Sequence, residues 1–285
     1  MTARRAFIRT LDRPGGRWVL SALATWYARK KTGRDIAVWY DDLWIRSLKP
    51  QIHVADTPSF EYFANDLLTF PALTQRIFEA PRDYWFYSYT PSSGDLIVDV
   101  GAGVGFDALL FSHAVGASGR VIAIEAHPKT FRSLQKFCEL NQLTNTTCLQ
   151  LAVVDRERDV YIEDLATHEA NTAQLEPTAE TVFKVQGVSI DEICKRQRVE
   201  RIDLLKMNIE GAERVAIEGM TEMITRTRYV CIACHDFRSD ESQTFSTRDG
   251  VTDFLRRNHF RVTTRANDAR SYVRDHVHGV NTRLL

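Results

Sequence analysis

The sequence predicts an α/β protein in which seven strands form one sheet with helices on both faces, preceded by an N-terminal cap of helix and hairpin. Three observations carry this. Continuous apolar runs at Leu96–Val100, Val121–Ile124, Ile202–Met207 and Tyr229–Cys234 suit buried parallel strands. Helical segments alternate with those runs, the rhythm of an α/β sheet. The first run ends in the turn Gly101-Ala-Gly103-Val-Gly105, a glycine-rich strand-to-helix junction of the kind that admits a nucleotide-like ligand.

From the start of the chain, Arg4, Arg5 and Arg9 precede an apolar run, Trp18–Tyr27. It is shorter than the roughly 20 residues that a bilayer demands. It is followed at once by Arg29, Lys30 and Lys31, and no small-residue cleavage site accompanies it. We read it as a helix docking on the domain or on a second copy of the chain, with peripheral membrane contact as the alternative and a homo-oligomer as a consequence of the former. Ile36–Ser47 reads as a hairpin turning at Asp41-Asp42, and 58–80 as a second helical stretch. All five Trp lie before residue 86. Residues 1–90 are therefore taken as an aromatic cap whose rings pack against the core, lining of a substrate pocket being the alternative.

Residues 91–285 carry the sheet. Leu96–Val100 is its first strand, Phe106–Val115 a helix, Val121–Ile124 the second strand, Pro128 the start of a helix to about Leu143, and Thr147–Val153 the third strand. Asp159–Glu163 reads as a peripheral strand and the stretch through Asn171 and Pro177 as a loop. Ser189-Ile-Asp-Glu192 is a capping box. Ile202–Asn208 is the fourth core strand, Gly211–Thr227 a helix, Tyr229–Cys234 the fifth strand, 248–258 a helix, and 260–265 and 271–276 the last two strands.

Lys plus Arg equals Asp plus Glu at 37 each, so no global field favours nucleic acid, and a small-molecule partner fits better. Five scattered cysteines, Cys138, Cys148, Cys194, Cys231 and Cys234, do not form a secreted disulfide framework, which places the chain by default in a reducing cytoplasm.

The glycine spacing discriminates between cofactors. A dinucleotide fingerprint wants its third glycine where Phe106 stands, and Asp99 is an unwelcome neighbour for a pyrophosphate. Both features suit S-adenosyl-methionine, with Asp99 near its ammonium and Gly101, Ala102, Gly103, Gly105 and Phe106 around its amino-acid end. Glu125, followed by Ala126, ends the second strand, where a carboxylate accepts ribose hydroxyls. Ala152 and Val153 are positioned to wall the adenine, with Asp155 as a polar contact. An NAD-dependent oxidoreductase is the disfavoured rival.

Three blocks, Gly94–Gly105, Gly119–Pro128 and Ile202-Asp-Leu-Leu-Lys-Met-Asn-Ile-Glu-Gly-Ala-Glu213, resemble the FkbM-type S-adenosyl-methionine-dependent methyltransferases over about residues 90–220. The resemblance implies the class I methyltransferase architecture and O-methylation of a small metabolite such as a sugar, polyketide or lipid-like acceptor. Two positions depart from the family pattern: Ala102 stands for its usual Asn, and Asn208 for its usual Asp. In related metal-dependent O-methyltransferases that Asp can bind a cation. Asn208 is a neutral and weaker ligand for one such as Mg²⁺, which weighs against metal dependence and leaves a non-catalytic cofactor-binding scaffold as the other reading.

Methyl transfer asks the protein to align an acceptor oxygen and manage its proton. Lys206, Asn208, Glu210 and His235 stand at the ends of strands four and five, with Asp236 beside them. His235 is the candidate base, because imidazole titrates near neutrality. Glu210 either contacts substrate or a cation or caps the next helix, and Lys206 reads as a structural ion-pair partner. Cys231-Ile-Ala-Cys-His235 matches a haem-attachment spacing, but inside a buried strand its cysteines read as core residues. A zinc site there would need a second pair of ligands that the sequence does not supply, so no residue is assigned to a metal.

Overall fold

A computed structural model describes residues 3–48, 52–57, 60, 67–69, 72, 79, 81–163, 173–174, 182–240 and 242–285. The cap begins with helices α1 (Ala3–Leu11) and α2 (Arg17–Thr32), followed by strands β1 (Ile36–Asp41), β2 (Leu43–Leu48) and β3 (Ile52–Thr57), which form an antiparallel sheet in that order. Leu20, Ala24 and Ala28, one stripe at a spacing of four, are the buried face of α2. The small alanines let α2 approach β1 closely. Its aromatics point away: Trp18 is 71% and Trp26 59% exposed, so the helix docks by its alanine stripe and not by its tryptophans.

Asp42, at φ 62°, closes the hairpin where the Asp41-Asp42 pair predicts it. The helical stretch expected at 58–80 lies mostly outside the described residues. Trp44 is fully buried and donates its indole N–H to Asp12, whose other oxygen accepts from the Phe60 amide.

The main sheet takes β4 (Leu96–Val100), β5 (Arg120–Ile124), β6 (Thr146–Leu149), β11 (Ile202–Met207), β12 (Thr227–Ala233), β13 (Phe260–Thr264) and β14 (His276–Asn281). A smaller sheet joins β7 (Ala152–Val153), β8 (Arg158–Glu163), β9 (Ala173–Gln174) and β10 (Val182–Val188) in the order β7-β10-β8-β9. Helices α3 (Phe106–Val115), α4 (Pro128–Leu140), α5 (Ile190–Arg196), α6 (Glu213–Glu218), α7 (Arg248–Arg257) and α8 (Ser271–Arg274) connect them. The large sheet runs β13-β14-β12-β11-β4-β5-β6, parallel from β12 to β6, with β14 antiparallel to both of its neighbours. That order is the class I methyltransferase topology. The chain winds outward from β4 to β6 and then returns to β11, so the crevice beyond the ends of β4 and β11 is a topological switch point, where ligands of open α/β sheets bind.

Apolar residues of α3, α4, β5 and the cap, among them Ala102, Leu109, Phe137, Trp44 and Val54, form one cluster. Asn141 stitches the same boundary, exchanging hydrogen bonds with both backbone groups of His53 at 2.9 and 2.7 Å. The cap is thereby seated on α4.

Several expected boundaries shift. The third strand ends at Leu149, and Ala152–Val153 pairs with β10 in the smaller sheet. The helix expected over Gly211–Thr227 is the short α6 and then a 3₁₀ turn at Met223–Arg226. A Cβ at Gly219 would lie 2.7 Å from the Val154 carbonyl, so the backbones meet where α6 stops. Residues 271–274 are helical, and the final strand begins only at His276.

Candidate active site

The turn after β4 is built from backbone contacts. The amides of Gly101 and Ala102 both donate to the Ile124 carbonyl, which pins the turn to the end of β5. Gly101, at φ 77°, lies so close to the loop after β11 that an added Cβ would be 1.9 Å from the Asn208 carbonyl oxygen. Gly103, at φ 56°, differs: among the described residues a Cβ there would meet nothing within 4 Å, so its bare Cα faces open space. Its amide donates to Glu125 at 2.9 Å, and the other Glu125 oxygen accepts from the His127 amide at 2.9 Å. Burial raises the Glu125 pKa against the pull of these two donors. Gly105 precedes α3, whose first residue Phe106 stacks edge-on against Phe137. Ala102 is buried against the cap, and Ala126 packs towards the smaller sheet.

Asp99 does not face the crevice as the sequence suggests. It is wholly buried beneath the turn, with its carboxylate 2.8 Å from Lys206 Nζ. Lys206 donates to the Gly101 carbonyl at 2.9 Å and pairs with Asp107 at 3.4 Å. Burial pushes the Asp99 carboxyl up and the Lys206 ammonium opposes it; the lysine is held charged by Asp99 and Asp107 despite its burial. The pair braces the floor of the glycine turn.

Ala152 and Val153 are also withdrawn, because both are buried in packing. Ala152 meets Val160, Ile162 and Val185, while Val153 enters the main core. Asp155 is engaged by Arg158.

Across the crevice, the Asn208 amide donates to the Val100 carbonyl, which carries the β11–β4 ladder one step past the strand. Glu210 follows in the left-handed region at φ 52°. Its carboxylate accepts from Arg238 at 2.6 Å and lies 3.1 Å from His235 Nε2. His235 Nδ1 is 3.0 Å from Glu213, which is fully buried and also accepts from the amides of Ile209 and Gly211 and from the Thr247 hydroxyl.

Glu213 thus ties together the loop after β11, the end of β12 and the start of α7. The sequence places Glu213 only in a family block, and no local pattern marks Arg238 as its neighbour's partner. Burial favours a neutral His235 ring, but the bonds to Glu210 and Glu213 outweigh it and raise the pKa to about 9. Both ring nitrogens are thus held, and His235 is clamped between Glu210 and Glu213.

The aromatic cap contributes a separate open groove of about 1100 Å³, lined among others by Arg17, Trp18, Trp26, Trp39 and Tyr40, all from residues 14–40. Cys231 and Cys234 fall into different apolar clusters, so the haem-like spacing is divided between environments.

The fold is of the class I methyltransferase type. The methyltransferase FkbM domain family matches residues 99–262, more than half of the chain, and the chain belongs to that family. Methyltransferase FkbM from Methylobacillus flagellatus KT superposes with a TM-score of 0.45 at 17% identity, covering 76% of this chain and 52% of its own. This chain therefore spans about half the length of that protein. Aeropyrum pernix fibrillarin with natively bound S-adenosyl-L-methionine superposes at TM-score 0.41 and 13% identity, covering 86% and 97% of the two chains. The fibrillarin pre-rRNA processing protein of Methanococcus jannaschii does so at 0.39 and 15%, covering 66% and 67%. No curated protein sequence matches the chain. Among the described residues, no helix is long and apolar enough to cross a membrane.

Proposed function

We propose that the chain transfers the methyl group of S-adenosyl-methionine to a hydroxyl of a small metabolite. The observation that carries this reading is the open space over the bare Gly103 Cα, beside the Glu125 carboxylate and at the switch point of the sheet. A cradle with exposed backbone on one side and a strand-end carboxylate on the other fits an amino-acid and ribose ligand. Bound there, S-adenosyl-methionine supplies an electrophilic methyl on sulfonium.

The protein's share is alignment and charge. Glu125 accepts from ribose hydroxyls, and Gly101 to Gly103 line the amino-acid end. Asn208 presents a neutral amide with no side-chain partner among the described residues, suited to orient an acceptor hydroxyl. Glu210, held by Arg238 and His235, keeps a carboxylate lone pair facing that hydroxyl as its proton leaves.

The test has two stages. S-adenosyl-homocysteine, and not NAD, is expected to raise the melting temperature; stabilisation by NAD alone overturns the reading. Labelled methyl transfer is then measured over sugar, polyketide and lipid-like alcohols, with magnesium and with chelator, and turnover unaffected by chelator is expected. The clamped state of His235 favours one second reading, a scaffold that binds the donor without transferring its methyl. Tight donor binding with no turnover on any acceptor would establish that alternative.

A further inference from the structure

We propose that Cys231, His276 and His278 form a binding site for a soft divalent metal of the zinc class. The strand register brings them together. Cys231 on β12 lies directly opposite His278 on β14, and His276, two residues earlier, projects from the same face. His276 is opposite Ala233, whose small side chain leaves the imidazole room. One ligand atom from each of the three residues lies within 4.8 Å of the other two. Ligand atoms around a tetrahedral zinc, at about 2.0–2.3 Å from the ion, stand roughly 3.5 Å apart, so small side-chain rotations close the site.

Burial supplies the second argument. The three residues are 1%, 3% and 1% exposed, and among the described residues His276 Nδ1 and both nitrogens of His278 have no hydrogen-bond partner. Two orphaned nitrogens on one buried ring are uncommon, since a neutral imidazole wants one acceptor and one donor. Coordination answers a lone pair that nothing else among the described residues answers. The surroundings exclude water: Trp85 stacks on His276 at 4.9 Å and 8°, Tyr84 meets the same ring edge-on, and Tyr87 covers His278 at 4.9 Å.

The donor set and charge also agree. One thiolate and two neutral imidazoles are a borderline-soft set that suits zinc and not magnesium. On loading, the Cys231 S–H bond breaks, its proton leaves to solvent, and sulfur keeps the electron pair that binds the metal. Neighbouring cations are already answered, Lys206 by Asp99 and Asp107, and Arg265 by Asp83 and Asp268. The Cys231 thiol now donates to the Tyr84 carbonyl oxygen at 3.7 Å, a weak bond that is given up when the sulfur loses its proton and binds the metal. A metal so held fastens β14 to β12 at Cys231, four residues before His235.

The experiment is a metal titration of the full chain after chelator stripping, with zinc competed against a chromophoric chelator and cobalt(II) used as a spectroscopic probe. One equivalent is expected, and the cobalt form shows a thiolate-to-metal charge-transfer band. Cys231→Ala and His278→Gln each lose that band and weaken zinc binding at least tenfold. Cys138→Ala, which alters the separate Cys138–Cys148 thiol pair, keeps both properties. If Cys231→Ala fails to melt cooperatively, Cys231→Ser supplies the reading, with the band lost and the fold kept. Failure of the wild-type chain to bind one equivalent of zinc at micromolar concentration overturns the proposal. So does cobalt binding with an unchanged thiolate band in the folded Cys231 variant. Neither readout depends on methyl transfer.

Discussion

Lys206 Nζ lies 2.8 Å from Asp99 Oδ1 across neighbouring strands, and neither side chain is more than 1% exposed. The attraction is strong because the surroundings are dry, and for the same reason neither charge tolerates losing its partner. Lys206→Met is expected to cost roughly 3–5 kcal/mol, since it leaves Asp99 with no counter-charge except by taking up a proton. The double change Asp99→Asn/Lys206→Gln removes both charges and should recover at least half of that loss. Urea unfolding of the three chains checks it; equal stability of Lys206→Met and wild type would show that the pair braces nothing.

The two glycines of the turn separate folding from ligand binding. At Gly101 a methyl group would overlap the Asn208 carbonyl, so Gly101→Ala must push β4 from β11 and should destabilise by more than about 2 kcal/mol. At Gly103 only the positive φ opposes a side chain, at about 1–2 kcal/mol, but the new methyl fills the space that the donor would occupy. Gly103→Ala is therefore expected to fold and to bind S-adenosyl-homocysteine at least tenfold more weakly. Calorimetric titration and thermal melts on the same samples distinguish the two behaviours.

Glu125 gives a sharper test of the cradle. Glu125→Gln keeps an acceptor for one backbone amide but removes the charge that Gly103 and His127 both address. A charged hydrogen bond contributes about 1.5–3 kcal/mol, so donor affinity should fall roughly 10- to 100-fold, with a lower melting temperature from the backbone amide left without its acceptor. An affinity unchanged in Glu125→Gln would remove this residue from the ribose site.

What the sequence shows and hides follows from the range of the interactions. The β4 strand and its turn are legible because an unbroken apolar run and three glycines are local signals. The Ser189–Glu192 cap is equally local, and Ser189 Oγ accepts from the Glu192 amide as the pattern predicts. The pattern sets the last strand too early. Ser271-Tyr-Val looks extended, whereas His276-Val-His-Gly-Val-Asn281 carries polar residues that only burial against β12 explains. His235 illustrates the same limit: its partners Glu210 and Glu213 arrive from another strand end, and nothing near residue 235 announces them. Cys231 looked like a lone core thiol for the same reason, its two imidazoles being more than 40 residues away on β14.

The histidines set opposite limbs of the stability profile. His235 has its folded pKa raised from 6.5 to about 9, so its contribution is complete below pH 6.5 and is lost as pH rises through 9. For His276 and His278 burial lowers the folded values to about 3 and about 4; their contribution is present above pH 6.5 and is lost as pH falls towards those values. The metal-free chain should therefore be most stable near pH 6.5 and lose on the order of 1–3 kcal/mol on either side. His235→Gln should flatten the alkaline limb and His278→Gln the acid limb. Denaturant titrations from pH 5 to 9 measure both slopes, and an alkaline limb unchanged by His235→Gln would refute the clamp.

The cap's tryptophans divide by environment and not by type. Trp44 is fully buried, stacks edge-on against Phe60 at 4.6 Å and gives its indole N–H to Asp12, which also receives the Phe60 amide. Its removal leaves a large cavity and takes one donor from Asp12 Oδ1, which keeps the Arg17 guanidinium. Trp44→Ala is accordingly expected to cost about 3–5 kcal/mol. Trp18, though it donates to the Gly15 carbonyl, does so in solvent with most of its ring exposed. Trp18→Ala should lie within about 0.5–1 kcal/mol of wild type. Because Asp12 joins α1 to β2 and the cap shares a cluster with Phe137 of α4, the Trp44 variant should also loosen the packing beneath Phe106. Hydrogen exchange of the α3 and α4 amides in the two variants tests that coupling: faster exchange is expected in Trp44→Ala alone, and equal exchange in both would mean that the cap rests on the domain without supporting it.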